Sequence, residues 1–257
     1  MSDAAPLLEL SGVSVHFAGL RALTDVHFVA RPGEVKAVIG PNGAGKTTLF
    51  NVISGFVTPT AGTVRFRGEA IQTLTPHEIS AKGVRRTFQN GGLFGDMTAL
   101  ENVLAGLHSQ IGSSLLGLLF DGRAAREAEL AALERARKLM RLMEIEHLSD
   151  HLARDLSGGQ QRMVEIVRAL ATDPPLLLLD EPAVGLAPPV RERLMQIVRR
   201  LAGEEGISIL LIEHAIEFVM QAADVIAVFN AGQKIAEGSP AEVRENRDVL
   251  EAYLGHA

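Results

Sequence analysis

The chain has 257 residues, 47% hydrophobic and only 4% aromatic, which is enough aliphatic material for one large domain or two modest lobes. With 25 basic and 31 acidic residues the formal charge is -6, so no global basic field argues for a nucleic-acid partner. There is no cysteine, which excludes disulfides and thiolate metal sites. Met1 to Leu10 has two acidic residues and no basic n-region, and does not read as a signal peptide. No apolar run approaches the roughly 18 residues needed to span a bilayer. Leu115–Phe120 comes nearest and is far too short. The expectation is a soluble, cytoplasmic chain, with any membrane part supplied by another chain.

In chain order, Leu7 to Phe17 alternates apolar and polar residues as a strand does, and Val26 to Ala30 reads as another. After the Arg31-Pro32-Gly33-Glu34 turn, Val35 to Gly40 runs into a glycine-rich loop. A helix is predicted from near Gly45, stopping near Gly55, and Thr63 to Arg67 is a short strand. From Thr98 to Asp155 the pattern is helical, with apolar residues at three- and four-residue spacing between Arg123 and Met143. Another helix follows Gly159 and ends before Pro174-Pro175. Strands then alternate with helices: Leu176–Leu179, a helix over about 188–201, Ile207–Ile212, a helix from about Ala215, and Val225–Phe229. That alternation predicts an α/β core with a mostly parallel sheet. Its fully apolar runs suit strands buried on both faces.

The stretch Gly40-Pro41-Asn42-Gly43-Ala44-Gly45-Lys46-Thr47-Thr48 is a phosphate-binding loop in strand–loop–helix context. Glycines let the backbone approach a polyphosphate, and the following helix N-terminus favours negative charge. Lys46 is placed to reach the β- and γ-phosphates, and Thr47 to ligate Mg²⁺. Asp180 ends an apolar strand, where a carboxylate is expensive without compensation. Beside the phosphate loop, a Mg²⁺ shell is expected to supply that compensation. Ser157 and the amides of Gly158 and Gly159 open a helix and form a second anion site.

The segment Leu156-Ser157-Gly158-Gly159-Gln160-Gln161-Arg162 lies between that loop and Asp180-Glu181. With these motifs the chain resembles the ATP-binding subunits of ATP-binding cassette (ABC) transporters, from near Phe17 to His214. The resemblance implies a P-loop NTPase fold: one ABC nucleotide-binding domain over 1–257. A RecA-like core with an antiparallel β subdomain would occupy about 1–97 and 156–257, and an α-helical signature subdomain about 98–155. It implies that Glu181 polarises the attacking water, that Gln89 contacts Mg²⁺ and the water, and that His214 contacts the γ-phosphate. It also implies that Phe17 stacks on adenine, for which core packing is a rival reading. The motif Ser157-Gly158-Gly159-Gln160 would act in trans, in a head-to-tail dimer enclosing two ATP molecules. One departure stands out: Ala187 occupies the position after Glu181 where the family usually has an Asp.

Val84-Arg85-Arg86-Thr87-Phe88-Gln89-Asn90, Leu93-Phe94, Met97-Thr98, the segment Leu107–Arg126 and the ending Ala252-Tyr253-Leu254-Gly255 look like branched-chain amino acid importer ATPases of the LivG type. Urea and amide importers and the lipopolysaccharide-export ATPase are related alternatives. The implied partners are two transmembrane permease subunits, a second ABC ATPase in a homo- or heterodimer, and indirectly an extracytoplasmic solute-binding protein. The implied location is the cytoplasmic face of the inner membrane. A non-transport cassette in DNA repair or on the ribosome would usually carry two fused cassettes or a long coiled-coil insertion, which this chain lacks. A regulatory module without turnover is opposed by the presence of Glu181 and His214.

Overall fold

The computed structural model describes residues 5–87, 92–107 and 122–254. They fall into two compact units. The first holds the chain up to Arg86, Pro175–Val184 and the chain from Arg191 onward; the second holds Thr87–Pro174 and Gly185–Val190. The helices of the described residues are α1 (Lys46–Ile53), α2 (Pro76–Ala81), α3 (Ala99–Leu107), α4 (Gly122–Leu142), α5 (Gly158–Leu170), α6 (Pro188–Gly203), α7 (Ile216–Ala222), α8 (Pro240–Glu245) and α9 (Arg247–Leu254). None is long and apolar enough to cross a membrane.

In the first unit, β1 (Leu8–Phe17) and β2 (Leu20–Ala30) form a hairpin. Their turn, Ala18-Gly19, has φ of 41° and 95°, the sign pattern of a two-residue type I′ connection. That tight turn explains why β2 begins at Leu20, earlier than its letters suggest: Phe17 pairs directly with Leu20. β4 (Ala61–Phe66) joins the other edge of β1, and β5 (Glu69–Ala70) joins β4, giving an antiparallel sheet in the order β2-β1-β4-β5.

The second sheet holds β3 (Val35–Ile39), β6 (Val84–Arg86), β7 (Leu176–Asp180), β8 (Ser208–Ile212), β9 (Val225–Asn230) and β10 (Gln233–Gly238), in the order β10-β9-β3-β8-β7-β6. Its pairs are parallel except β9 with β10. Every residue of β3, β7 and β8 is buried, so these strands read as near-continuous apolar runs. Lys36 breaks the run in β3 and is still fully buried. Its ammonium donates to the Val29 carbonyl, pairs with Glu237 of β10 and lies 4.6 Å from the Phe28 ring centroid. A buried charge persists only with such partners. Phe28, Phe50, Phe66, Leu178, Leu210 and Phe229 belong to one core cluster that joins both sheets and α1. Because β6, β7, β8 and β3 run parallel, their C-terminal ends share one edge, where ligands of open α/β sheets bind.

In the second unit, α3 starts at a capping box: Thr98 Oγ1 accepts the Glu101 N–H, and Glu101 Oε2 accepts the Thr98 N–H at 2.7 Å. Buried Asn102 satisfies its amide on the Phe94 and Thr98 carbonyls at 3.0 and 2.9 Å. The helical pattern expected over 98–155 takes the form of α3, α4 and two short 3₁₀ turns at Glu146–Leu148 and Ala153–Asp155. Most of the segment 107–126 lies outside the described residues.

Candidate active site

Gly40 leaves β3 with φ 150°, and a Cβ there would land on the Phe229 carbonyl oxygen. Gly45 precedes α1 with φ 100°, and a Cβ would come within 2.6 Å of the Ala22 carbonyl oxygen. Glycine is therefore required at both ends of the loop. Gly45 is also the N-cap of α1 and offers no side chain to its first amides. Those amides are left directed at whatever occupies the loop, which is how a helix N-terminus binds phosphate.

The loop lines a cavity of about 290 Å³. Asn42, Gly43, Ala44, Gly45, Lys46, Thr47 and Thr48 share it with Phe17, Glu181 and His214 from distant parts of the chain. Leu20, Arg21 and Ala22 line it too, and sequence reasoning missed them. Gly40 and Pro41 belong to the same loop, and their carbonyls accept from the Lys46 ammonium at 2.7 and 2.9 Å. Burial lowers the Lys46 pKa, while the negative charges of Glu181 and Asp180 oppose the shift. Phe17 is 45% exposed at the strand tip, so its side chain stands in the cavity wall and not in the core. A larger recess of about 620 Å³ opens at the opposite, N-terminal ends of β7 and β8, and none of the expected residues lines it.

Glu181 follows β7 with φ 50°, a left-handed conformation that is costly for a non-glycine residue. That turn breaks the strand's alternation, and the Glu181 carboxylate meets His214 Nε2 at 3.1 Å. The Glu181 N–H donates to the Ile212 carbonyl at 2.9 Å, tying the end of β7 to the end of β8. Asp180 is 3% exposed. Beside any metal shell, a protein cation also compensates it: Arg86, at the end of β6, places Nη2 2.8 Å from Asp180 Oδ2. Arg86 also donates to Asn51 Oδ1 at 2.7 Å and Ser54 Oγ at 3.1 Å, both on the side of α1. Sequence reading saw Arg86 only as part of a motif, because the neighbourhood of β6 and β7 is not written in local letters.

Magnesium takes one or two protein oxygens together with phosphates and waters. The hard oxygens of Thr47, in the cavity, and Asp180, at the strand end beside it, are donors of that kind. Among the described residues no group of three or more His, Asp or Glu could hold a metal by itself. The Thr47 and Asp180 oxygens fit a cation whose remaining ligands come from a polyphosphate and water. Gln89, the third expected contact, lies outside the described residues.

In the second unit, Ser157 caps α5. Its Oγ accepts the Gln160 N–H at 3.4 Å, and Gln160 Oε1 accepts the Ser157 N–H at 2.9 Å. The two glycines follow, with Gly158 exposed. Ala187 is likewise exposed. Buried Glu165 in α5 has its pKa pushed up to about 7 by burial, against the opposing charges of Arg162 and Arg168.

A phosphate loop leaving a central parallel strand, with two carboxylates and a histidine at neighbouring strand ends, defines a P-loop nucleotide-binding ATPase core. Residues 23–184 match the family model described as ABC transporter, and residues 233–257 match that of the branched-chain amino acid ATP-binding cassette transporter. The chain is 43% identical to the high-affinity branched-chain amino acid transport ATP-binding protein BraF of Pseudomonas aeruginosa, over 98% of this chain and 99% of that protein. It is 42% identical to LivG of Escherichia coli, which carries the same description, over 98% and 99% of the two chains. A crystal structure of the ADP conformation of an ATP-binding cassette of an ABC transporter is 36% identical, with a TM-score of 0.85 over 98% of this chain and 100% of that one. A dimeric post-hydrolysis cassette bound to ADP and Pi is 28% identical, with a TM-score of 0.76 over 91% of this chain and 98% of that one. The chain belongs to the ABC transporter family, on the branch of the branched-chain amino acid transport ATP-binding proteins.

Proposed function

We propose that this chain is the ATP-hydrolysing subunit of an importer for branched-chain amino acids. The observation that carries the chemistry is the 3.1 Å contact between Glu181 and His214 in the wall of the phosphate-loop cavity. The transport class follows from relatives that match nearly the whole chain, and these favour it over urea or amide import and lipopolysaccharide export.

In this reading Phe17 stacks on the adenine, and the loop amides with Lys46 hold the β- and γ-phosphates. Glu181 accepts a hydrogen bond from a water and aims its oxygen at the γ-phosphorus. The new P–O bond forms as the bond to the β–γ bridging oxygen breaks, releasing ADP and phosphate. His214 turns Nε2 toward the Glu181 carboxylate and contacts the γ-phosphate. Thr47, Asp180 and Gln89 would hold Mg²⁺, which when bound would supply positive charge against the phosphates. Phosphoryl transfer of this kind is mostly positioning and electrostatics. The helix start at Ser157–Gln160 of a second cassette completes each site in trans, in a homo- or heterodimer. Two transmembrane permease subunits take up the motion at the cytoplasmic face of the inner membrane, and a solute-binding protein delivers the amino acid outside.

The test is a pull-down of tagged Glu181→Gln protein from gently solubilised native membranes with ATP present, followed by mass spectrometry and ATPase assay. Two polytopic membrane proteins, a second cassette ATPase and stalled turnover are expected. Recovery of ribosomes or DNA-repair proteins would overturn the transport reading, and normal turnover would remove Glu181 from its role.

A further inference from the structure

Glu213 has no part in the chemistry assigned above, yet its carboxylate is buried at 1% exposure between the two turns that carry the reacting side chains. Its Oε1 accepts the Ala183 N–H at 2.6 Å, two residues beyond Glu181 on the turn leaving β7. Its Oε2 accepts the N–H groups of His214 at 2.9 Å and Ala215 at 3.2 Å, on the turn leaving β8. One buried anion thus collects three main-chain donors from two strand ends. Those strand ends present Glu181 and His214 to each other, with Glu181 held at a positive φ that its own side chain does not favour.

We propose that Glu213 is a positioning residue for hydrolysis. It locks the β7 and β8 exit turns to one another and so fixes the distance and angle between Glu181 and His214. The proposal rests on the roles given to those two residues above. The ionised carboxylate is specifically suited to the task. It offers acceptors on both oxygens, and bonds from N–H groups to a charged oxygen are shorter and stronger than neutral ones. A glutamine of the same shape has one acceptor and one donor. Whichever way its amide is turned, an NH₂ group faces either Ala183 or the His214–Ala215 pair, and one turn loses its anchor. Aspartate keeps the charge but is one methylene shorter, so it reaches one turn at the expense of the other.

The experiment compares wild type, Glu213→Gln and Glu213→Asp as full-length chains. Amide exchange is read by NMR at residues 183, 214 and 215, and steady-state ATPase is read in the assembled transporter. In Glu213→Gln, exchange is expected to accelerate at least about 10-fold on one of the two turns, with Leu211 in β8 unchanged. Small misplacement of reacting groups costs up to about 100-fold in rate, so kcat is expected to fall about 10- to 100-fold with KM for ATP within about threefold. Glu213→Asp should fall between the two and so separates lost geometry from lost charge. Unchanged exchange at all three amides, or a raised KM with unchanged kcat, would overturn the proposal. If instead Glu181→Gln turns over normally, the parent reading of the site fails, while the exchange result still decides whether Glu213 joins the turns.

Discussion

Replacing Arg86 by Met would show how the end of β7 tolerates the Asp180 carboxylate. The two side chains are 7% and 4% exposed, with Nη2 and Oδ2 2.8 Å apart. At an effective dielectric of about 20, unit charges at that separation attract by about 6 kcal/mol. Desolvating both ions offsets most of that gain, so the intact pair contributes little net stability. Removing one member is not symmetrical with removing both, because the remaining charge stays in its low-dielectric site at a cost of about 3–5 kcal/mol. Lys46 remains close enough to influence Asp180, which places Arg86→Met toward the lower end, about 3 kcal/mol. Met keeps apolar contact with Phe50, whose ring centroid lies 5.6 Å from the guanidinium, so packing loss is minor. Urea unfolding of wild type, Arg86→Met, Asp180→Asn and the double variant closes a thermodynamic cycle. The double variant is expected to recover at least about 1.5 kcal/mol relative to the sum of the singles, as neighbours in one network do. Strict additivity would refute the reasoning and reduce Arg86 to its bonds with Asn51 and Ser54.

Glu165 makes stability depend on pH. Burial raises its folded pKa from 4.5 to about 7, so between those values the folded chain binds more protons than the unfolded chain, and stability falls as pH rises through the window. The loss is at most about 3 kcal/mol, and Glu165→Gln should abolish it. Parallel pH profiles of the urea midpoints, between about pH 5 and 8, would contradict this. Gly40→Ala places a Cβ on the Phe229 carbonyl, whereas Gly43→Ala meets nothing within 4 Å and bears only its positive φ. The first should lose at least about 2 kcal/mol more than the second and weaken fluorescent-ATP binding, because the clash adds an overpacking cost of about 1–3 kcal/mol to the positive-φ strain that both share. Equal melting temperatures for the two would exclude a close approach at residue 40.

The elements legible in the sequence were those whose own letters carry the pattern. Leu176–Leu179 and Ile207–Ile212 announce strands covered on both faces, and β7 and β8 are buried throughout. α2 and α8 were missed although their signal was present. Thr75-Pro76 with Glu78, and Ser239-Pro240 with Glu242, each form a capping box with proline at the start of the helix. β6 and β10 were not legible for a different reason. β6 has three residues, two of them arginine, and β10 reads Gln-Lys-Ile-Ala-Glu-Gly without alternation. Both are edge strands whose charges make sense only through neighbours distant in sequence, Asp180 for Arg86 and Lys36 for Glu237. The same limit applies within the site. The phosphate loop, Glu181 and His214 belong to recognisable motifs, but Glu213 acquires meaning only once β7 and β8 lie side by side.

That adjacency is what turns a row of strand ends into a site. β6 is tied to β7 by Arg86 on Asp180, and β7 to β8 by the Glu181 N–H on the Ile212 carbonyl and by Glu213 on Ala183. On the other side of β3, Gly40 packs against the backbone of β9 at Phe229. These ties join the C-terminal end of one parallel strand to the next, so the groups proposed to meet a phosphate are held by the sheet and not by a free loop. Electrostatic stabilisation of a developing charge works best from donors that need no rearrangement. A sheet edge cross-tied in this way supplies that rigidity for Lys46, Glu181 and His214. Elements that move during turnover are therefore expected among the parts without such ties, such as the Phe17–Leu20 hairpin tip, whose two side chains stand 45% and 68% exposed.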